Sequence, residues 1–421
     1  MLVAAEAMQA RVAGSPAAAA SRPVRLLTLT TLFPNASAPR HGVFIATRLR
    51  KLCDTGRVSA TVVAPVPWFP GAYAAQRAVP ARETVAGFDT AHPRYLNVPG
   101  VGMRLQPHAL AMTWLGHLEK RGLDASRFDI VDAHYFYPDG VAAARVARRL
   151  GLPLVISARG SDINVIGEMT FARRSMLEAA HSADALIAVS DALAQRMQAI
   201  GMPAQRIRVL RNGVDTALFH PADRTQARAK LGLVDAPWVL GVGNLVPEKG
   251  FDLLIDAVAA LPDVRLLVAG EGPLRNALVA RARAVAPGRV EFRDNMPQAQ
   301  LRFAYAACNV LGLPSLREGC PNVVLEALAC GTPVAAAAVG GVPEMLRADA
   351  PAIVVKSANV AEWRLALGSL LGADLPPERV RHYALQFEWD DVVNRQCALY
   401  DQVTAAHASA RRTRATANST G

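Results

Sequence analysis

Short apolar runs, each followed by a turn and then by a helical pattern, recur along most of the chain. Apolar runs of about four to eight residues without polar alternation are typical of parallel strands buried on both faces. Such runs predict strands over residues 24–31, 58–64, 128–133, 154–158, 183–189, 207–210, 238–243, 264–269, 290–292, 310–313, 333–338 and 353–355. Helices are predicted over residues 43–52, 105–121, 141–150, 192–200, 251–261, 301–307, 322–330 and 392–403. This βα rhythm predicts an α/β fold.

Length and composition predict the number of domains and the cellular compartment of the protein. A chain of 421 residues predicts two or three domains. The five cysteines are an odd number without C-x-x-C spacing, so we expect a reduced, cytoplasmic compartment and neither a disulfide framework nor a zinc site. The Ala-rich residues 1–22 and the polar residues 405–421 are expected to be disordered. No apolar run is long enough for a transmembrane helix.

Positive charge is concentrated in the first half of the chain. The net charge is +11, and residues 1–215 hold 25 Lys and Arg against 15 Asp and Glu, which leaves the second half close to neutral. A basic half suits nucleic acid, an anionic membrane surface or an anionic acceptor. The excess of Arg over Lys is equally well explained by a GC-rich genome.

The most informative stretch runs from Pro314 to Glu344. A predicted strand ends at Pro314, a loop carries Glu318, and a helix starting near residue 322 carries Glu326. Ligands of open α/β sheets bind at the carboxyl ends of strands, where the free N–H groups of residues 319–323 would face an anion or sugar hydroxyls. Glu326 suits a diol such as a ribose. Taken singly, each glutamate is also compatible with an ordinary surface position at a helix start.

Other predicted strand ends carry candidate ligand-binding residues. Gly42 lies in a loop after the first strand, and Lys249 lies between a strand and a helix, where a cation can meet a diphosphate. His134 ends a central strand; a lone histidine is usually a satisfied core residue, but this position favours function. Asp162 can cap a helix or support a substrate.

The string SxxEGxPNxxLEAxAxGxPV, followed by GGxPE, closely resembles the donor-binding signature of the retaining nucleotide-sugar glycosyltransferases of family four. The resemblance covers residues 24–403. It implies a GT-B fold, with two Rossmann-like, doubly wound domains facing a cleft. The implied divisions are an acceptor domain over 23–215, a donor domain over 216–375, and helices over 376–404 that return to the first domain.

The resemblance also assigns roles to residues. It implies that His134 contacts the donor sugar, that Lys249 neutralises the diphosphate, and that Glu318 holds the sugar; these three are the predicted catalytic residues. The predicted substrate-binding residues are Gly42, Arg159, Asp162, Asn244, Gly319, Cys320, Pro321, Asn322 and Glu326. Asn244 departs from the family, where an arginine is usual, and Arg40, Arg159 or Arg317 could supply the missing charge.

The implied reaction is sugar transfer from a UDP- or GDP-sugar to the hydroxyl of a glycan or lipid-linked acceptor, with retention. In the resembled enzymes the diphosphate itself takes the acceptor proton, so no protein base is required. No Asp-x-Asp element is present, and we expect neither a metal nor another cofactor. The strings RHGVF, HYFYPDG and RGSDI resemble bacterial members that build teichuronic acids and exopolysaccharides, which suggests work at the periphery of the plasma membrane.

Three alternatives stay open. A nucleotide-sugar 2-epimerase also uses two Rossmann-like domains, although the EGxPNxxxE string argues against it. A silent relative that only binds nucleotide would explain Asn244. Binding of nucleic acid is disfavoured, because the chain has 6% aromatic residues and no base-reading motif.

Overall fold

The computed structural model describes residues 22–100, 102–294 and 296–419, so nearly all of the predicted leader lies outside the described residues. Strands of the first half are β1 (Val24–Leu29), β2 (Val58–Val63), β3 (Val66–Trp68), β4 (Arg82–Val85), β5 (Phe88–Ala91), β6 (Arg94–Leu96), β7 (Ile130–His134), β8 (Leu154–Ser157), β9 (Ala185–Ala188) and β10 (Ile207–Val209). Strands of the second half are β11 (Trp238–Val242), β12 (Arg265–Ala269), β13 (Val290–Arg293), β14 (Val310–Leu313), β15 (Val334–Ala337) and β16 (Ala352–Val355).

Helices connect these strands throughout. The first half has α1 (Val43–Asp54), α2 (Ala74–Arg77), α3 (Gln106–Lys120), α4 (Val141–Leu150), α5 (Ser161–Asn164), α6 (Thr170–Ser182) and α7 (Asp191–Ala199). The second half has α8 (Arg224–Leu231), α9 (Phe251–Ala259), α10 (Arg275–Val285), α11 (Gln298–Ala307), α12 (Asn322–Ala329), α13 (Val342–Met345), α14 (Val360–Leu371), α15 (Pro377–Leu385) and α16 (Trp389–Ser419).

The strands form two large sheets, one in each half. The first sheet has the order β10-β9-β8-β7-β1-β2-β5-β4, and the second has the order β13-β12-β11-β14-β15-β16. All neighbours in both sheets are parallel except the β4–β5 pair. The strand order reverses between β1 and β7 and again between β11 and β14, where ligands of doubly wound sheets bind. The predicted α/β fold with two doubly wound domains is confirmed.

The last helix closes one face of the first sheet. Apolar side chains of α16, among them Trp389 and Val393, pack with Leu26 of β1, Ile45 of α1 and Val155 of β8. This confirms that the C-terminal helix crosses back onto the first domain. The preceding helix α15 packs instead against α12 in the second half. The return therefore begins at Trp389 rather than at residue 376.

The end of the chain differs from the sequence-based expectation. The polar composition predicts disorder from residue 405, whereas α16 continues to Ser419. Four alanines, Ala405, Ala406, Ala408 and Ala410, have the highest helix propensity, and they extend a helix that packing has already nucleated. Among the described residues, no helix, α16 included, combines the length and apolar composition that crossing a membrane requires.

Among the described helices of ten or more residues, α6, α10 and α14 were not predicted. In α6 the buried residues are Ala172, Met176, Ala179 and Ala180, which have helical spacing but are mostly small. A stripe of alanines gives a weak hydrophobic signal even where it is fully buried. Because its buried side chains are small, α6, which packs against α4, could not be predicted from the hydrophobic pattern.

Candidate active site

Loops from both domains meet at the carboxyl ends of the two sheets. The loop after β8 contacts the loop after β14 so closely that a Cβ on Gly319 would lie 2.5 Å from the carbonyl oxygen of Arg159. The side-chain amide of Asn212 donates to the Oδ1 of Asn322 at 2.9 Å. The guanidinium of Arg40 donates to the carbonyl of Met296. The two switch points thus face each other across one cleft.

Two predicted catalytic residues contact each other in this cleft. The Nζ of Lys249 lies 2.6 Å from the Oε1 of Glu318, and both side chains are largely buried. The turn that carries Lys249 packs closely against the end of β14. Gly250 in this turn has φ +63°, and a Cβ there would lie 2.4 Å from the carbonyl oxygen of Pro314. A partly buried ion pair of this geometry is a charge-assisted hydrogen bond, which fixes both groups.

Glu326 is a buried carboxyl group with a raised pKa in the second domain's site. Its side chain projects from α12 and is only 9% exposed, and the hydroxyl of Tyr305 donates to its Oε2 at 2.7 Å. Burial raises the pKa of Glu326 to about 7, although Tyr305 and the charge of Arg40 pull it down. No local sequence pattern indicated Tyr305, which lies on α11, 21 positions earlier in the chain.

The loop that connects β14 to α12 brings the other predicted residues together. Pro321 precedes α12, and Asn322 is its first residue. The carbonyl of Gly319 accepts a hydrogen bond from the N–H of Gly341 at 3.0 Å, which ties the loop to the turn after β15. Cys320 points into the protein: its sulfur lies 3.6 Å from the sulfur of Met345, and burial raises its thiol pKa to about 11. Only its backbone is therefore placed for a ligand.

His134 lies at the end of β7, as predicted, but its ring is enclosed. The imidazole is 2% exposed, with Nδ1 at 2.6 Å from Nη2 of Arg159 and Nε2 at 2.9 Å from Oδ2 of Asp132. Burial lowers the pKa of His134, and the charge of Arg159 lowers it further. Each ring nitrogen lies against a protein side chain, and the contact with a donor sugar stays a prediction.

Asp162 and Arg159 have different roles within one turn. The carboxylate of Asp162 is buried and accepts hydrogen bonds from the N–H groups of Phe136, Arg159 and Gly160. The predicted cap on the following helix is wrong, because Gly160 is the N-cap of α5 and no side chain caps it; the Asp162 carboxylate instead holds the turn together. The guanidinium of Arg159 contacts His134 and lies over the ring of Phe44. Burial lowers the pKa of Arg159 to about 9, so it is still charged at neutral pH.

The glycine loop of the first domain is fixed at both ends. Gly42 has φ +69°, and a Cβ there would lie 2.2 Å from the carbonyl oxygen of Leu32, so the loop can close only with glycine. At the start of the loop, the buried carboxylate of Asp139 accepts from the N–H of Thr31 at 2.6 Å and from the hydroxyls of Thr30 and Thr31. Burial raises the pKa of Asp139 to about 7. Sequence analysis did not assign Asp139.

Asn244 is exposed in the loop after β11 and brings no charge to the site. Of the cations considered as substitutes, Arg317 pairs with Glu248 at 3.1 Å and is half exposed. Arg159 and Arg40 lie at the contact between the domains. Within the described ranges, no three His, Cys, Asp or Glu side chains cluster as metal ligands would.

Comparison with known families finds two matching models. A model described as glycosyl transferases group 1 matches residues 223–387, and one described as glycosyltransferase family 4 matches residues 74–218. The group 1 match covers β11 to β16, and the family 4 match covers β4 to β10.

Curated relatives and solved structures are similar over most of the chain. A Bacillus subtilis protein described as a teichuronic acid biosynthesis glycosyltransferase, TuaC, is 31% identical over 336 residues, which cover 76% of this chain and 83% of TuaC. D-inositol 3-phosphate glycosyltransferase of Mycobacterium avium is 33% identical over 310 residues, 68% of this chain and 72% of the relative. Sucrose-phosphate synthase of Thermosynechococcus elongatus superposes with a TM-score of 0.74 at 22% identity, covering 91% of this chain and 100% of the other. The Anabaena protein HepE in complex with UDP-glucose gives 0.68 at 19% identity, covering 89% and 98%.

Proposed function

The chain belongs to the glycosyltransferases of group 1 and family 4, and from this premise we propose that it transfers a sugar from a nucleoside-diphosphate sugar to an acceptor hydroxyl with retention at the anomeric carbon. The observation that carries the proposal is the arrangement around α12. Lys249 and Glu318 lie paired at the switch point of the second sheet, and Glu326 lies one turn into the helix. A cation and a helix start suit a diphosphate, and two carboxylates suit sugar hydroxyls.

Lys249 is the proposed stabiliser of the leaving diphosphate. Negative charge grows on the diphosphate as the glycosidic bond breaks, and a cation in a partly buried cleft stabilises that charge strongly. Glu318 pairs with the lysine at 2.6 Å. When the donor binds, the diphosphate replaces Glu318 as the partner of the Lys249 ammonium group. Glu318 then accepts hydrogen bonds from the sugar hydroxyls.

Glu326 is the proposed ribose contact. A carboxylate accepts hydrogen bonds from both hydroxyls of a vicinal diol. Tyr305 donates to one oxygen of Glu326 and so leaves the other for the ribose. Placing the ribose here puts the diphosphate at the start of α12, beside Lys249.

The proposed mechanism uses no protein base. Nδ1 of His134 is bonded to Arg159, and Nε2 lies against the Asp132 carboxylate, which supports a front-face reaction in which the diphosphate takes the acceptor proton. A retaining glycosidase would instead need a pair of carboxylates on opposite sides of the bond. We propose that the reaction needs neither a metal nor another cofactor.

The proposed acceptor is a glycan or lipid-linked hydroxyl in cell-surface polysaccharide synthesis, and the proposed donor is a UDP- or GDP-sugar. Support comes from TuaC, whose description names teichuronic acid synthesis, and from HepE, whose structure is a complex with UDP-glucose. The basic first half suits an anionic membrane, so we place the enzyme in the cytoplasm at the inner face of the plasma membrane. Nucleic acid is not a proposed partner.

The membrane part has its own test. Full-length protein is mixed at low salt with vesicles containing anionic lipid and, as a control, with neutral vesicles. We expect co-sedimentation with the anionic vesicles that declines as salt rises, because surface charges are screened. Failure to sediment at low salt would remove the membrane from the proposal without touching the transferase site.

A donor screen tests the proposed reaction. The protein is incubated with UDP-, GDP- and ADP-sugars, and release of nucleoside diphosphate is followed, with water as a slow surrogate acceptor. We expect release from one donor, loss in Glu326→Ala, and no loss in Glu362→Ala, which removes an exposed glutamate of the same domain. Release as a free 2-epimer of the sugar would favour an epimerase, and binding without release even with added acceptors would favour a silent relative.

A further inference from the structure

A chain of buried polar groups connects His134 to the last helix. Asp132 lies on the same face of β7 as His134, two residues earlier, and is 0% exposed. Its Oδ2 lies 2.9 Å from Nε2 of the histidine, an ion-pair distance without hydrogen-bond alignment, and its Oδ1 accepts from the hydroxyl of Tyr400 of α16 at 3.0 Å. Tyr400 and Asp132 are 268 positions apart in sequence. On the other side of the histidine, Arg159 lies 2.6 Å away.

The chain of buried polar groups continues beyond Tyr400 to the junction of the domains. The amide of Gln396 donates to the Tyr400 hydroxyl at 2.6 Å, and Nε of Arg48 donates to Oε1 of Gln396 at 2.6 Å. Arg48 also donates to the side chain of Asn212 at 3.3 Å, and Asn212 bonds Asn322 at the start of α12. Both ends of the chain therefore lie at the cleft.

Donor and acceptor chemistry gives every link one direction. An arginine can only donate, so Arg159 donates to Nδ1 of His134, and the single ring proton of a neutral histidine must sit on Nε2, facing Asp132. From the opposite side, Arg48, Gln396 and Tyr400 donate in series. The two series converge on Asp132, whose carboxylate can only accept. Burial alone would raise the pKa of Asp132, but His134, Tyr400 and Arg159 together hold it below its usual value.

We propose that Tyr400 and Gln396 of α16 are positioning residues for sugar transfer: through Asp132 they fix the tautomer of His134 and thereby hold the Arg159 guanidinium at the cleft. The kinetic test of this inference rests on the proposed function, whereas its spectroscopic test rests on geometry alone. Neither tyrosine nor glutamine touches a substrate in this arrangement. Their effect reaches the site because the Arg159 backbone packs against Gly319 of the donor loop.

A packing role for Tyr400 makes different predictions. If the tyrosine only anchored α16, removing its hydroxyl would lower stability and leave the rate per folded molecule unchanged. If it orients Asp132, the same change would lower kcat while the donor KM stays nearly constant, because the donor contacts of the second domain are untouched. Tyr383 of α15 is a matched control, since it is also buried and its hydroxyl donates only to the Met345 carbonyl and accepts from the N–H of Arg347.

The first experiment compares Tyr400→Phe with Tyr383→Phe in full-length protein, using the donor found in the screen. We expect kcat to fall about tenfold in Tyr400→Phe with KM for the donor within about twofold, because a hydrogen bond to a charged group is lost. Tyr383→Phe should keep the wild-type kcat. An unchanged kcat in Tyr400→Phe, or equal losses in both variants, would overturn the inference.

A second variant, Gln396→Glu, keeps the shape of the side chain at position 396 and reverses the direction of its hydrogen bond with Tyr400. In Gln396→Glu the introduced carboxylate cannot donate to Tyr400, so the tyrosine hydroxyl turns to that carboxylate and leaves Asp132. The added charge is tolerated because the cluster holds two arginines and one carboxylate. We expect the kcat of Gln396→Glu to fall as in Tyr400→Phe, and the double variant to be no worse than Tyr400→Phe alone. Additive losses would show two independent effects and contradict a single relay.

The third experiment does not depend on activity. Protein labelled with ¹⁵N-histidine is examined by NMR, with the His134 signals assigned by their absence in His134→Gln. We expect a protonated Nε2 and an unprotonated Nδ1 in the wild type. In Tyr400→Phe the Nε2–H proton should move upfield, because Asp132 is no longer oriented by the tyrosine and interacts less strongly with the histidine; in Tyr383→Phe it should not move. A proton on Nδ1, or no movement in Tyr400→Phe, would contradict the relay even if the protein proved to transfer no sugar.

Discussion

At the residue scale, Glu326 combines burial with a partner that leaves one oxygen available. Its pKa near 7 results from desolvation, which outweighs the hydrogen bond from Tyr305 and the charge of Arg40. A carboxyl group in this range is neutral below pH 7 and charged above it. Since the charged form accepts hydroxyl hydrogen bonds more strongly, donor binding becomes dependent on pH near neutrality.

We predict that donor affinity falls as pH drops below about 7, because Glu326 takes up a proton. The Tyr305→Phe variant removes an interaction that lowers this pKa, so the midpoint of the affinity profile should move to higher pH. Glu326→Gln should bind donor more weakly and lose this dependence. Calorimetric titration between pH 5.5 and about 8.5 measures all three. An affinity profile that is the same in wild type and Glu326→Gln would show that another group is responsible.

At the scale of elements, the segment from β14 to β15 follows directly from its sequence. Apolar strands flank the helix, and Gly331 ends it with φ +81°, as expected for a residue just past a helix C-terminus. The strand β14 falls on the predicted residues 310–313. Local patterns determine such elements, so one sequence is enough to find them.

The contacts that assemble the site are less accessible to sequence reasoning. Lys249 and Glu318 are 69 positions apart, and Asp132 and Tyr400 are 268 apart. Strand ends indicated which loops meet, because parallel strands share a carboxyl edge. Which side chains pair with each other in the cleft depends on the packing of whole helices, and no local sequence pattern encodes this pairing. Tyr305, Asp139 and Tyr400 were missed for this reason.

Gly331 also provides a prediction about element packing. A Cβ there would lie 2.6 Å from the Cβ of Pro377, the first residue of α15. Gly232 ends α8 with φ +64° and has open space around it, so Gly232→Ala costs only backbone strain. We expect Gly232→Ala to destabilise by about 1 kcal/mol and Gly331→Ala by about 3 kcal/mol. Thermal unfolding of the two variants measures the difference; equal midpoints would show that α15 moves away freely.

At the scale of the whole molecule, Glu344 links the two domains. It lies on α13 of the second domain, and its carboxylate accepts from the N–H groups of Asp191 and Ala192 at 2.8 and 2.6 Å. These amides form the start of α7 in the first domain, where the helix dipole favours a negative charge. Arg211 of the first domain adds an ion pair to Glu344 at 3.1 Å. A charge of one domain therefore caps a helix of the other.

We predict that Glu344→Ala loosens the contact between the domains. Solution X-ray scattering should show a larger radius of gyration than for the wild type. Donor affinity should fall by about fivefold or more, because part of the binding free energy of the donor is then used to close the cleft between the domains. Glu362→Ala, an exposed change in the same domain, serves as the control. Unchanged scattering in Glu344→Ala would mean that other contacts hold the domains together.

The central claim is that the cleft beside α12 binds a nucleoside-diphosphate sugar through Lys249 and Glu326. The most direct measurement is the affinity of the purified protein for UDP, GDP and their sugars in wild type, Lys249→Ala, Glu326→Ala and Lys356→Ala, the last being an exposed lysine of the same domain. We predict that one nucleotide binds the wild type and Lys356→Ala alike and binds both site variants at least about tenfold more weakly. Equal affinity in all four proteins would contradict the assignment of the site.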